Sequence, residues 1–301
     1  MLHHQTLESV LNGLMTRYKA RVPDVSAIFN AMVKEDILKN PSEISNDHIA
    51  FRTIGAEHLG IRSLEKIFLH YGYKKMDPYS FPEKKLDAYW YAPAHPQDPR
   101  IFISELRVKD LSSPIRDLIE SYTDEVDSDP VDMLDLDNAE MVESFLHSGL
   151  WRLPTWADYQ ALAAESEYAA WTIYNRYYLN HFTISVHNLK KGYNTVALFN
   201  EFLEKNGFTL NNSAGKIKQS PDGGLLQSAT VAQMIEAEFA GGEKHMIPGS
   251  YVEFAERRIL PQYANLPAQE VKRIHRREGF EAANADKIFE STYAAQTQRI
   301  K

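Results

Sequence analysis

Residues 47–55 read DHIAFRTIG. Successive side chains of a strand point to opposite faces, so His48, Ala50 and Arg52 share one face, and Ile49 and Phe51 the other. The same design returns at 180–189, NHFTISVHNL, where His181, Thr183, Ser185 and His187 oppose Phe182, Ile184 and Val186. It returns again in GSYVEFAERR, 249–258, where Glu253, Ala255 and Arg257 oppose Val252 and Phe254. Three strands thus pair an apolar face with a face carrying histidine, carboxylate and arginine.

The segment after each histidine strand also repeats. GIRSLEKIFLHYGY places Ile61, Leu64, Ile67, Phe68 and Tyr71 on one helical stripe and ends at Gly72. NTVALFNEFLEKNGF does the same with Val196, Phe199 and Leu203 and ends at Gly207. His48 precedes its glycine by 24 residues and His181 by 26. Strand-like runs come next in both places: KKMDPYSF, LDAYWYAP and RIFISELRV in the first, FTLNNS, GLLQSATVA and SYVEFAERR in the second. The pattern is a β-α-β-β-β unit used twice. The expected class is α+β, with the two units curling one barrel-like sheet around their polar faces.

One domain over 1–301 is expected, with N-terminal helix over 1–40, the first unit at 47–108 and a helical insert at 109–179. The second unit covers 180–258 and a polar helical tail 259–301. Helix is read over 5–38 and, as one long element, over WADYQALAAESEYAAWTIYNRYYLN. The acidic stretch DEVDSDPVDMLDLDNAE reads as a solvated linker.

Composition narrows the function. The chain lacks cysteine, which excludes disulfides, thiolate metal sites and cysteine nucleophiles and fits a cytoplasmic protein. A net charge of −8 argues against nucleic acid as a partner. The one basic run, KRIHRR at 272–277, reads as a solvated helix face. No apolar stretch reaches the roughly 18–20 residues of a membrane span, and the first residues read as the opening helix of the fold rather than a signal peptide.

If the polar faces of the three strands meet in a cavity, two histidines and one glutamate form a 2-His-1-carboxylate set, which suits non-heme Fe(II) and also other divalent metals. Glu105 is the counterpart carboxylate in the first unit, and Glu256 lies on the opposite face from Glu253. Ser185, His187 and Gln227 are candidate pocket-lining groups that orient the ligands.

The motifs DHIAFRT, NHFTISVHNL, GGLLQSATVA and GSYVEFAERR resemble the vicinal oxygen chelate superfamily. Within it they resemble the family once known only as DUF1338, over roughly residues 1–290. Characterised members are Fe(II)-dependent 2-oxoadipate dioxygenase/decarboxylases, also called D-2-hydroxyglutarate synthases. The resemblance implies His48, His181 and Glu253 as metal ligands, Arg52 as the anchor of a substrate carboxylate, and Fe(II) as cofactor. It implies a small 2-oxo acid and dioxygen as partners, with CO2 and a 2-hydroxy acid as products. The family's best-studied enzymes are longer, which leaves the exact 2-oxo acid open. Competing readings are a metal-dependent isomerase, lyase or hydrolase of the same architecture, and a non-catalytic small-molecule binder.

Overall fold

The structure is a computed structural model that describes residues 2–298. The first half contains α1 (Leu2–Arg21), α2 (Pro23–Lys34), β1 (Asn46–Ile54), α3 (Ile61–His70), β2 (Lys74–Phe81), β3 (Leu86–Ala92) and β4 (Arg100–Leu106). Four helices come after them, α4 (Ser113–Thr123), α5 (Ala139–Phe145), α6 (Trp156–Glu165) and α7 (Glu167–Asn175). The second half contains β5 (His181–Ser185), α8 (Val196–Lys205), β6 (Lys218–Gln219), β7 (Leu225–Ala229), β8 (Met234–Glu238), β9 (Lys244–Pro248) and β10 (Tyr251–Arg257). The tail adds α9 (Ala282–Phe289) and α10 (Ala294–Thr297).

Eight strands form one sheet in the order β2-β3-β4-β1-β5-β10-β7-β6. Each half contributes a β-α-β-β-β unit to this sheet, the second with the β8–β9 hairpin inserted, and the strand order is symmetric about the β1–β5 pair. β1 pairs parallel with β4, β5 pairs parallel with β10, and β1 and β5 meet antiparallel. Helices α3 and α8 bury their apolar stripes on one face, through Leu64, Ile67 and Phe68 in the first unit and Phe199 and Leu203 in the second. The sheet curls toward its other face, where α9 touches β2 of one unit and β6 and β7 of the other.

The register also pairs the glutamates. With His48 equivalent to His181, the β1–β4 and β5–β10 ladders make Phe102 equivalent to Glu253, and Glu105 equivalent to Glu256. This corrects the match of Glu105 with Glu253 expected from the sequence. Glu105 accepts the Ile61 backbone N–H at 2.7 Å, and Glu256 accepts that of Val196 at 2.9 Å. Each carboxylate thereby caps the first turn of its unit's helix, where unpaired N–H groups and the helix dipole favour negative charge.

Other boundaries differ from expectation for local reasons. Pro23, which has no N–H to donate, starts a second helix and splits the 5–38 segment. Ser166 ends α6, and its hydroxyl caps α7 by accepting from Ala169 N at 3.1 Å, so the long helix is two. FTLNNS contributes an isolated bridge, Leu210 to Thr230, rather than a strand. The β8–β9 hairpin forms a separate two-stranded sheet that the strand-like runs of the sequence do not set apart. The tail is helical only in short pieces, and the last three residues of that expectation lie outside the described residues.

Gly60, immediately before α3, has φ +80° and ψ −161°, a region essentially restricted to glycine. A Cβ there would collide with the Glu105 carboxylate. Gly60→Ala is expected to destabilise the fold by about 2–4 kcal/mol, combining backbone strain with a displaced cap. Glu105→Gln, which keeps the shape, should cost about 1 kcal/mol. Urea midpoints check both, and equal costs would refute the strain at Gly60.

Candidate metal centre

The antiparallel register sets Ala50 opposite His181, so His48 and His181 are diagonal neighbours on one face. Diagonal residues lie about 7–8 Å apart at their backbones, within reach of long side chains. The parallel pairing of β5 with β10 brings Glu253 beside Thr183. The three functional ends converge. His48 Nε2 lies 3.4 Å from His181 Nε2 and 3.5 Å from Glu253 Oε1, and His181 Nε2 lies 3.1 Å from Glu253 Oε2. Glu253 and His48 are each 1% exposed and His181 is 5% exposed.

Their outer nitrogens are already engaged. His48 Nδ1 is 2.9 Å from Asp47 Oδ1, and His181 Nδ1 is 3.1 Å from Asn180 Oδ1. An acceptor at Nδ1 fixes the proton there and turns the Nε2 lone pair inward. Two lone pairs and a carboxylate facing each other at 3.1–3.5 Å repel unless a proton or a metal cation lies between them. Two donors at right angles on bonds of about 2.1 Å would be about 3 Å apart, so the set fits a divalent metal. Thr183 Oγ1 also lies 3.1 Å from His48 Nε2.

Electrostatics reflect burial and neighbours. Burial lowers His48, but Glu253 and Asp47 more than offset it, and its pKa rises. Burial dominates at His181, whose pKa falls despite Glu253. Burial would raise Glu253, yet the two imidazoles hold it well below the usual carboxylate range. Asp47 is likewise held well below its usual value, against its burial, by Arg257 and Arg100. Arg257 grips Asp47 through Nε at 2.8 Å and Nη2 at 2.9 Å, and Arg100 Nη1 adds a contact at 3.2 Å.

Gln227 donates from Nε2 to Glu253 Oε1 at 2.6 Å and accepts from Asn284 Nδ2 at 3.0 Å. It lines the same cleft as the triad, together with Phe102, Tyr251, Phe280, Ile288 and Phe289. The last three come from the tail and form an apolar roof.

Arg52 is 1% exposed and has no carboxylate within 4 Å among the described residues. Its Nη1 donates to Thr292 Oγ1 and its Nη2 to the Phe289 carbonyl, both at 3.0 Å, while its guanidinium lies 5.0 Å from the rings of Tyr168 and Trp171. Its Nε has no partner. Neither does the hydroxyl of Tyr251, which is fully buried in the triad cleft with its ring 4.9 Å from that of His181. Burial pushes the Tyr251 phenol well up, and Arg52 partly offsets this. Arg52 and Tyr251 are thus close enough to interact beside the triad, while neither the Nε–H nor the hydroxyl makes a well-formed hydrogen bond.

Ser185 and His187 are not in this cleft. The chain leaves the strand after Ser185 for a short 3-10 turn, and both residues line a separate cleft on the far side of Asp47. There the Arg257 backbone N–H donates to His187 Nδ1 at 3.2 Å. Asp47, Asn180, Tyr251, Asn284 and the roof are not among the residues singled out from the sequence. A signal for the first two exists, since each histidine comes directly after an Asx residue, Asp47-His48 and Asn180-His181.

Burial pushes the His187 pKa down to about 4. Because the unfolded side chain takes up its proton near pH 6.5, the contribution of His187 to stability is complete above that pH. It is lost as pH falls toward 4, by up to about 3 kcal/mol. His187→Gln should flatten this part of the stability profile, read as the difference in urea midpoints between pH 7 and pH 4.5. An unchanged profile would refute the assignment.

The same architecture and related sequences occur in known proteins. A family model described as 2-oxoadipate dioxygenase/decarboxylase matches residues 10–269. The chain is 45% identical over 302 aligned residues, 97% of its length and 78% of the relative's, to the chloroplastic 2-oxoadipate dioxygenase/decarboxylase of Arabidopsis thaliana. Its structure resembles that of the hydroxyglutarate synthase from Oryza sativa, crystallised with 2-oxoadipate, with a TM-score of 0.88 and 40% identity, covering 98% of this chain and 94% of that one. A glyoxalase-superfamily protein from Ralstonia eutropha JMP134 shares the fold, with a TM-score of 0.69 at 21% identity over 89% of this chain and 83% of that one. The paired-unit vicinal oxygen chelate architecture expected from the motifs is the one found. The expected cytoplasmic location does not stand, because the Arabidopsis relative is chloroplastic. A missing cysteine excludes disulfides but does not select among reducing compartments.

Proposed function

The chain belongs to the 2-oxoadipate dioxygenase/decarboxylase family, and on that premise we propose that His48, His181 and Glu253 hold Fe(II), at which 2-oxoadipate and dioxygen become 2-hydroxyglutarate and CO2. The enzyme is a dioxygenase/decarboxylase of a 2-oxo acid; the iron and the residue roles are our reading. Its main support is the convergence of two inward-facing Nε2 atoms and one carboxylate, each imidazole steered by its own Asx neighbour. The reaction balances without a cosubstrate. The bond between the carboxylate carbon and the keto carbon breaks, one oxygen atom completes the new carboxylate, and the other enters the adjacent carbon as hydroxyl. Fe(II), when bound, supplies the redox chemistry that lets dioxygen react with a 2-oxo acid.

The protein's part is placement and exclusion. The triad offers three protein donors, so a metal held there would keep positions open for reactants. Gln227, held by Asn284, fixes the orientation of Glu253. Arg52 lies four residues along β1 from His48, roughly 13 Å of strand, so its free Nε–H and the Tyr251 hydroxyl receive the substrate carboxylate remote from the keto group. A charge-assisted bond from guanidinium supplies most of that affinity. Phe102, Phe280 and Phe289 wall the cleft with apolar surface, which keeps bulk water away from the reacting groups.

An oxygen electrode should record uptake that requires both Fe(II) and 2-oxoadipate, with one CO2 released per dioxygen consumed. Turnover without oxygen would replace this reading with Lewis-acid chemistry. His181→Ala should lose iron and activity together while keeping its far-UV circular dichroism, and retained activity would remove it from the ligand set.

Arg52→Lys should reduce kcat/KM for 2-oxoadipate by roughly 30- to 100-fold, as expected for loss of a charge-assisted bond of about 2–3 kcal/mol. Tyr251→Phe should reduce it by about 5-fold. A 2-oxo acid lacking the remote carboxylate should be affected much less by either change, and equal losses on both substrates would remove Arg52 and Tyr251 from this role.

A further inference from the structure

The basic run at 272–277 is not the helix face its composition indicated. It forms a short 3-10 turn, Arg273–His275, between extended residues, and it borders a cleft of about 380 Å³. The opposite wall is the 42–47 segment, and Arg100 and Arg257 also line the cleft. That volume falls in the range of small-molecule sites, about 300–1,000 Å³. The cleft shares no lining residue with the triad cleft. It adjoins the first residues of β1, whereas Arg52 lies near the strand's other end.

Five cations line it, Arg100, Arg257, Lys272, Arg273 and Arg276, against two acids, Glu43 and Asp47, in a chain of net charge −8. Most have partners. Arg100 and Arg257 share Asp47, and Arg100 also binds Glu278 through Nε at 2.7 Å. Arg273 donates to the carbonyls of Pro96 and Asp98 and meets Glu278. Two cations are left over. Arg276, half-buried, donates to the Arg257 carbonyl at 2.7 Å and, like Lys272, has no carboxylate within ion-pair distance among the described residues. A partly buried guanidinium without a counter-charge carries a desolvation cost that an anion would offset, and its planar fork matches phosphate or carboxylate oxygens.

We propose that this cleft binds a small multivalent oxyanion, with Lys272 and Arg276 as its principal contacts. The ligand carries its charge as phosphate or as clustered carboxylates; a concave site of this size on an acidic protein does not fit a nucleic acid backbone. The proposal does not depend on the iron chemistry, because binding is measured without turnover.

The test is calorimetric titration of the full chain at low salt, with inorganic phosphate in one arm and tricarballylate in the other. Saturable one-to-one binding is expected in at least one arm, and the arm that binds identifies the charge carrier. The double variant Lys272→Gln/Arg276→Gln should weaken that binding at least tenfold while leaving 2-oxoadipate turnover unchanged. Arg52→Gln should leave phosphate or tricarballylate binding at this cleft unaltered. Absence of saturable binding in both arms, or equal affinity in the double variant, would overturn the proposal. Loss of binding in Arg52→Gln with retention in the double variant would do so too, by placing the anion in the substrate cleft.

Discussion

The antiparallel pairing of β1 with β5 is the constraint on which the centre depends. Ala50 sits opposite His181, and from that single register the two imidazoles become diagonal neighbours with a methyl group where a larger side chain would block their approach. β10 then runs beside β5 in parallel and carries Glu253 to the same point. A slip of one residue would turn a whole strand's side chains to the opposite face, sending the histidines to the helices and Phe51 or Phe182 to the cavity. The apolar faces resist that slip. Ile49, Phe51, Ile184 and Phe254 are all essentially buried beneath the covering helices, so packing on one side of the sheet fixes polar geometry on the other.

Around the three converging atoms lies a layer that costs desolvation and returns rigidity. Asp47 is buried with two guanidiniums and a histidine. Such networks contribute little net stability compared with well-packed apolar groups, but removal of one member leaves a buried charge and is costly. The carboxylate is therefore held where the His48 ring needs it. The pairing of β1 with β5 is irregular between Asn46 and Ile49, and such irregularities re-aim side chains next to sites. On the far side of the cleft, Asn284 orders Gln227, which orders Glu253, so the chain's last segment reaches the centre through two hydrogen bonds as well as through its apolar roof.

Much of this is readable in the sequence where the information is local. Period-two alternation gives the faces of β1, β5 and β10, and the similar distance from histidine to glycine gives the repeat. That alternation puts His48, His181 and Glu253 on polar faces that the fold brings together. It fails where contacts are set by the tertiary path. Ser185 and His187 share a parity with His181, but Ser185 is at the far end of the strand, in the other cleft, and the strand stops there, so the parity does not extend to His187. Glu105 pairs with the wrong glutamate on sequence alone, because only the ladder registers reveal its equivalence to Glu256. Phe280 precedes the short helix α9 and Ile288 and Phe289 end it, and a helix of eight residues is too short for a periodicity that marks them as a roof. Tyr251 passes as an ordinary strand aromatic, since a hydroxyl's missing partner is a property of three dimensions.

The equivalence of Phe102 with Glu253 has a wider meaning. A doubled unit, left symmetric, would present two imidazoles and two carboxylates and would surround an ion with protein on four sides. Here both units carry the histidine, while the first has a benzyl group at the position where the second has its acid. An ion held by the triad would therefore meet protein donors on one side only, with the Phe102 ring as apolar floor on the other. In this fold, the open side of the triad cleft lies where the two halves stop matching.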